Sequence, residues 1–213
     1  CTRLDAGYED YVIARENLRS RGKAVILEIA NGARRREAVQ YKCTRAILGQ
    51  DRDEDLREAR IAHTIGCVEY GAALGARTIS TEPGGPLGDF SREEAYRLFA
   101  RGLKRVARRA VDLGVELLIE PEPDLLIERS GEFEEFFEKY IDFRGVGLNF
   151  DMGHFFCVGE EPDQLIRTLG RRAAHFHLED IAESRVHFHL PPGEGAMDFS
   201  RIFEGLREID YGG

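Results

Sequence analysis

The feature that most constrains the fold is a repeated alternation of short apolar, β-branched runs with longer segments of helical periodicity. After a helical pattern over residues 8–19, residues 24–29 (Ala-Val-Ile-Leu-Glu-Ile) read as a buried strand between Gly22 and Gly32. Residues 54–74 read as a helix closed by Gly75, followed by a strand over 76–81 that stops at Glu82-Pro83-Gly84-Gly85-Pro86. Ser91-Arg92-Glu93-Glu94 has capping-box spacing and opens a helix running to Gly114. The pattern continues as a strand over 115–119, a helix over 131–141, a strand over 146–150, a helix over 162–169, a strand over 173–178 and a final helix over 198–209. Strand, helix, strand in this rhythm specifies βαβ units and a parallel sheet, which is either doubly wound or closed into a barrel.

The polar residues choose between the two. No G-x-G-x-x-G follows the first strand and no G-x-x-x-x-G-K-[ST] occurs, whereas carboxylates and imidazoles stand at the C-terminal ends of successive strands. A barrel assembles its site from such positions. The expectation is therefore an α/β fold of the parallel (β/α)8 barrel type, a single domain over residues 1–213. Only five clear strands are visible where about eight are needed, so the barrel is expected to be incomplete at both chain ends. One more weak strand is expected between Glu179 and Pro192.

Composition narrows the partners. A formal net charge of −9 works against non-specific binding to nucleic acid, because phosphates are drawn to basic surfaces. No apolar run is long enough to span a bilayer and no segment reads as a signal peptide, so neither a membrane nor a nucleic acid is an expected partner and the expected location is cytoplasmic. The four cysteines are scattered without C-x-x-C spacing, which argues against a disulfide framework and a zinc knuckle.

Four strand ends carry the chemistry. In Leu117-Leu118-Ile119-Glu120-Pro121, proline ends the ladder and leaves Glu120 at the barrel mouth, where a buried charge requires a partner, either a basic side chain or a cation. Asp151 closes the strand Val146-Gly147-Leu148-Asn149-Phe150, with His154 three residues later; an aspartate there either joins a site or caps a helix. His175 and His177 are two apart on a strand and so share a face. His187 and His189 alternate with apolar residues ahead of Pro191-Pro192-Gly193-Glu194-Gly195, either as site residues or as hydrogen-bonding groups within the loop. Glu120, Asp151 and His177 hold corresponding positions on three consecutive strands, and converging carboxylates repel unless a cation lies between them. Two carboxylates and an imidazole suit Mn2+, Mg2+ or Zn2+ without choosing among them; a divalent ion is the expected cofactor, Mn2+ foremost, with Co2+ a further alternative.

With the glutamate after its strand, Asp151-Met152-Gly153-His154, His177-Leu178-Glu179-Asp180 and Pro192-Gly193-Glu194-Gly195 ahead of Asp198-Phe199, the chain from about residue 55 to 213 resembles the xylose isomerase-like barrels. These include ketose 3-epimerases, hydroxypyruvate isomerases, inosose dehydratases and the AP endonuclease barrel. The resemblance implies Glu120, Asp151 and His177 as metal ligands, Glu120 also as the catalytic acid/base, and His154 and Arg185 as contacts to substrate oxygens. It places Glu82, His187 and His189 at positions where AP endonuclease relatives carry further metal-binding or substrate-facing groups. In the epimerases a last-strand glutamate is the fourth ligand, and this sequence ends at Tyr211-Gly212-Gly213, where that strand is expected to begin.

The expected function is a metal-dependent sugar or polyol isomerase or epimerase that removes a proton next to a carbonyl, acting on a small carbohydrate. The alternatives are a metal-dependent phosphoesterase of the AP endonuclease type and a non-catalytic barrel relative. Relatives often assemble as homo-oligomers, and the same is an expectation here.

Overall fold

The structure is a computed structural model that describes residues 54–85 and 87–212. Within them the chain runs α1 (Glu54–Leu74), β1 (Thr78–Thr81), α2 (Arg92–Asp112), β2 (Glu116–Ile119), α3 (Ser130–Tyr140), β3 (Val146–Asp151), α4 (Met152–Cys157), α5 (Pro162–Leu169), a 3-10 turn (Gly170–Arg172), β4 (Ala173–His177) and α6 (Phe199–Glu208). The expected strand over 24–29, the helix over 8–19, and two of the four cysteines, Cys1 and Cys43, lie outside the described residues. Cys67 and Cys157 are free thiols.

The strands form one parallel sheet in the order β1-β2-β3-β4, each hydrogen-bonded to its neighbour in sequence. A doubly wound sheet reverses direction at a switch point; sequential winding without reversal, with helices along the outside, is a sector of a (β/α) barrel. The expected strand between Glu179 and Pro192 is reduced to a single antiparallel bridge, Asp180 to Leu190, because Pro191 and the glycines after it cannot extend a ladder.

Local signals account for the helix ends. Ser91 is extended and its hydroxyl accepts from the Glu94 amide, so α2 starts where the capping-box spacing predicts. Gly75 and Gly114 take positive φ after α1 and α2, the left-handed cap that lets the chain turn into the next strand. The helix α4 was not legible as a periodic segment: it is six residues long and begins directly at Asp151, whose carboxylate caps it by accepting from the His154 amide at 2.9 Å.

Burial anchors the site from below. Every residue of β3 is buried, and Phe150 packs edge-on against Phe155 of α4 and, tilted, against Phe176 of β4. Between α2 and α3, Tyr96, Phe99, Phe136 and Tyr140 form an aromatic cluster that fixes the outer layer on the sheet. Among the described residues no helix is long and apolar enough to cross a membrane.

Candidate metal centre

One irregularity in the sheet decides which side chains meet. Leu148 pairs with Ala173, but Asn149 pairs with His175 and Asp151 with His177, so one residue of β4 is skipped. A regular ladder would set Phe176 opposite Asp151. The one-residue bulge sets His177 there instead.

Glu120 follows β2 and continues its ladder, its amide donating to the Thr81 carbonyl. Its Oε1 lies 2.9 Å from His177 Nδ1, and its Oε2 accepts from the Ser80 hydroxyl at 2.7 Å. Asp151 Oδ2 lies 3.2 Å from the same Nδ1. The three residues singled out from the strand ends are therefore brought together, with the His177 ring between two carboxylates.

His154 is buried on α4. A carbonyl oxygen only accepts, so the 2.9 Å contact to Pro121 O requires that His154 Nδ1 donate, and Nε2 faces Asp151 Oδ2 at 3.7 Å. Glu120, Asp151 and His154 present ligand atoms within 4.8 Å of one another, and so do His154, His187 and His189. The last two are exposed, with their Nε2 atoms 2.9 Å apart. Glu82, just past β1, stands half-buried near Glu120.

Arg185 goes elsewhere. Its backbone is left-handed (φ 57°), and its guanidinium lies 4.0 Å from the centroid of the Phe156 ring, donating to Phe156 O at 2.8 Å and to Glu161 at 2.7 Å. It caps the C-terminal end of α4, and the structure does not bring it to the carboxylates.

The electrostatics show a site with more negative groups than the described residues neutralise. Burial raises the Glu120 carboxyl, but the His177 ring and the Ser80 hydroxyl outweigh it and hold Glu120 below the usual carboxylate range. Asp151 is likewise low: burial is overcome by hydrogen bonds from His177 and Glu179. Burial by itself would lower His177, yet the two carboxylates lift it to about 10. Glu122 is driven up to about 8 by burial and by the charges of Glu82, Glu120 and Asp151. Burial and the neighbouring Asp151 push Glu179 to about 9, so it stands as a neutral acid donating to Asp151. Burial also raises Glu82, with Arg60 opposing and Glu120 adding to the shift.

Glu122, Glu179, Ser80 and Asn149 were not assigned from the sequence. Glu122 and Glu179 had a signal, since each lies two residues beyond an assigned group, Glu120 or His177, and so shares its parity. Ser80 and Asn149 had none.

Asp180 explains the Pro-Gly-Glu-Gly motif. Fully buried, it accepts from the amides of Ile181, Gly193, Gly195 and Met197. A Cβ on Gly195 would collide with the Asp180 carboxylate and the Ile181 carbonyl. The motif folds the loop that carries His187 and His189 back over the site.

The xylose isomerase-like TIM barrel family model matches residues 17–213. An inosose dehydratase of Clostridium botulinum (strain Alaska E43 / Type E3) is 28% identical over 137 residues, which are 57% of this chain and 46% of that protein. The chain thus spans about half the length of the curated relatives it matches. Among solved structures, a D-tagatose 3-epimerase-like protein superposes with a TM-score of 0.76 at 20% identity, covering 96% of this chain and 74% of the other. The IolI protein, solved with a bound zinc atom, superposes with a TM-score of 0.64 at 23% identity, covering 75% and 59%. These structural likenesses speak for the fold. With its sequential parallel strands and the family match over nearly its whole length, the chain belongs to the xylose isomerase-like TIM barrel family.

Proposed function

We propose that the protein is a divalent-metal-dependent sugar or polyol isomerase or epimerase, one domain over residues 1–213, and that Glu120 moves the proton. The carrying observation is the convergence of Glu120, Asp151 and His177, in which one imidazole nitrogen lies within 3.2 Å of both carboxylates. The residues fit a divalent cation. Two further carboxyls, Glu122 and Glu179, are pushed up by burial and by the neighbouring carboxylates, and an oxygen-rich set with imidazole is hard-to-borderline donor chemistry. Glu120, Asp151 and His177 would hold the ion, with His154 on the adjoining face. When bound it would polarise a substrate carbonyl and its neighbouring hydroxyl.

The chain's own groups do the rest. Glu120 is ionised and fixed at one oxygen by Ser80. It takes a proton from the carbon next to a carbonyl: the C–H bond breaks, its electron pair forms C=C, and the carbonyl oxygen gains the negative charge. Protonation from the opposite face by a second acid gives an epimer; protonation of the neighbouring carbon, with the hydroxyl proton passing from one oxygen to the other, gives an isomer. His154, its ring fixed by the Nδ1 contact to Pro121 O, is placed to contact a substrate oxygen through Nε2. The likeness to inosose dehydratases supports a ketone-bearing polyol as substrate, since a dehydration shares this first step. Manganese is the expected ion; the zinc in IolI makes zinc the first alternative.

A second reading has its own observation. His154, His187 and His189 form a three-imidazole group beside the carboxylates, as a multinuclear phosphoesterase would require.

Metal content per chain separates the two. Full-length protein purified without added metal should hold about one divalent ion per chain, lost in His177→Ala; two or three ions would favour the phosphoesterase. Glu120→Gln should abolish solvent-deuterium exchange into a responsive ketose or inosose, and undiminished exchange would remove Glu120 from the reaction.

A further inference from the structure

We propose that Ser80 and Asn149 are positioning residues for Glu120, forming a directed hydrogen-bond relay that sets which carboxylate oxygen faces the His177 side. The relay crosses three strands: Asn149 on β3 donates from Nδ2 to Ser80 Oγ on β1 at 3.1 Å, and Ser80 donates to Glu120 Oε2, just past β2, at 2.7 Å. The inference rests on the reading of Glu120 as a metal-binding acid/base.

Donor counting fixes the direction. An ionised carboxylate only accepts, so the single hydroxyl hydrogen of Ser80 is committed to Glu120 Oε2. The hydroxyl oxygen can then only accept from Asn149, which must present its amide nitrogen. An amide turned over would set oxygen against oxygen with no hydrogen between them. The same Nδ2 lies 3.4 and 3.5 Å from the two ring nitrogens of His177, so one amide touches both the relay and the imidazole.

This orientation has a visible cost. Asn149 is fully buried, and its Oδ1 has no hydrogen-bond partner. A residue needed only for packing within this strand, apolar up to Asp151 at its end, would be better served by a hydrocarbon side chain, since a buried carbonyl without a donor is unfavourable. Neither an acidic cluster nor a strand end explains Asn149; its amide hydrogens do. With Oε2 tethered from below, Oε1 is the oxygen left at His177 Nδ1, 2.9 Å away. Outer-shell hydrogen bonds of this kind typically carry about 10- to 100-fold in metal affinity or activity.

The test uses the full-length protein with Mn2+ as probe. Its affinity is measured by titration alongside the thermal midpoint for wild type, Ser80→Ala, Ser80→Thr and Asn149→Leu. Ser80→Ala and Asn149→Leu are expected to bind Mn2+ about 10-fold or more weakly. Ser80→Ala should remain folded without metal at a modestly lower midpoint, and Ser80→Thr, which retains the hydroxyl, should restore the affinity. Where a responsive ketose is in hand, the loss should fall on kcat and leave KM unchanged. Wild-type affinity in Ser80→Ala would overturn the relay while leaving the reading of Glu120 standing. So would a loss in Ser80→Ala that Ser80→Thr does not restore. If Asn149→Leu fails to fold, the two Ser80 variants decide. A wild-type protein that binds no Mn2+, Zn2+ or Co2+ would overturn the metal-centre reading itself, and the relay with it.

Discussion

Asp180 shows what a single buried carboxylate does to a loop. Burial raises its carboxyl, but the surrounding amides outweigh that and hold it below its ordinary range. A group so depressed contributes stability that is fully present above its unfolded value of about 3.9 and is lost as pH falls through the folded one. Asp180→Asn should therefore cost about 2–3 kcal/mol at pH 7 and flatten the acid side of the stability curve, read by urea unfolding at pH 7 and pH 3. At Gly153 the constraint is space. A Cβ there would meet the Glu179 carboxyl, which accepts from the Gly153 amide. Gly153→Ala should destabilise by about 1–3 kcal/mol through overpacking, measurable as a lower urea midpoint, whereas Gly131→Ala, with open space around it, should not show this loss.

Among the elements, α4 links helix capping to the candidate centre. Asp151 caps α4 through Oδ1 and faces His177 through Oδ2, so the two readings of an aspartate at that position, cap and site residue, describe two oxygens of one side chain. Substitutions separate them. Asp151→Asn keeps a good capping residue and Asp151→Ala does not, so the alanine variant should be less stable than the asparagine variant by about 1 kcal/mol, while both lose the divalent ion. Calorimetry with parallel metal analysis checks both halves. The cap of α2 is free of such duty: Ser91→Ala should cost about 1 kcal/mol and leave metal binding untouched. Arg185 belongs to this scale as well, since its bonds to Phe156 and Glu161 tie α4 to the loop before α5.

For the whole molecule, a bound cation is a stability term. A ligand that binds only the folded state adds about 2.7 kcal/mol at 100 times its dissociation constant, which for a chain of this size raises Tm by about 5–10 °C. Scanning fluorimetry with added Mn2+ should show that rise in the wild type and not in His177→Ala. Absence of any rise with Mn2+, Zn2+ or Co2+ would argue against the metal centre. The formal charge of −9 works against binding a polyanion.

The sequence by itself determined the parallel α/β alternation, the places where helices begin at Ser91 and turn at Gly75 and Gly114, and the parity that sets Asp151 and His177 at strand ends. These are local properties: burial repeats every second residue along a strand and about every 3.6 along a helix, and caps act within one turn. The short helix α4 leaves no periodic signature because six residues carry too little of one, and the expected strand before Pro192 is a single bridge. Tertiary structure alone decided the bulge that sets His177, not Phe176, opposite Asp151. It also turned Arg185 onto Phe156 and joined Asn149 to Ser80 across 69 residues of sequence. Register between strands and the choice among hydrogen-bond partners depend on groups far apart in the chain, which meet only when the strands have paired.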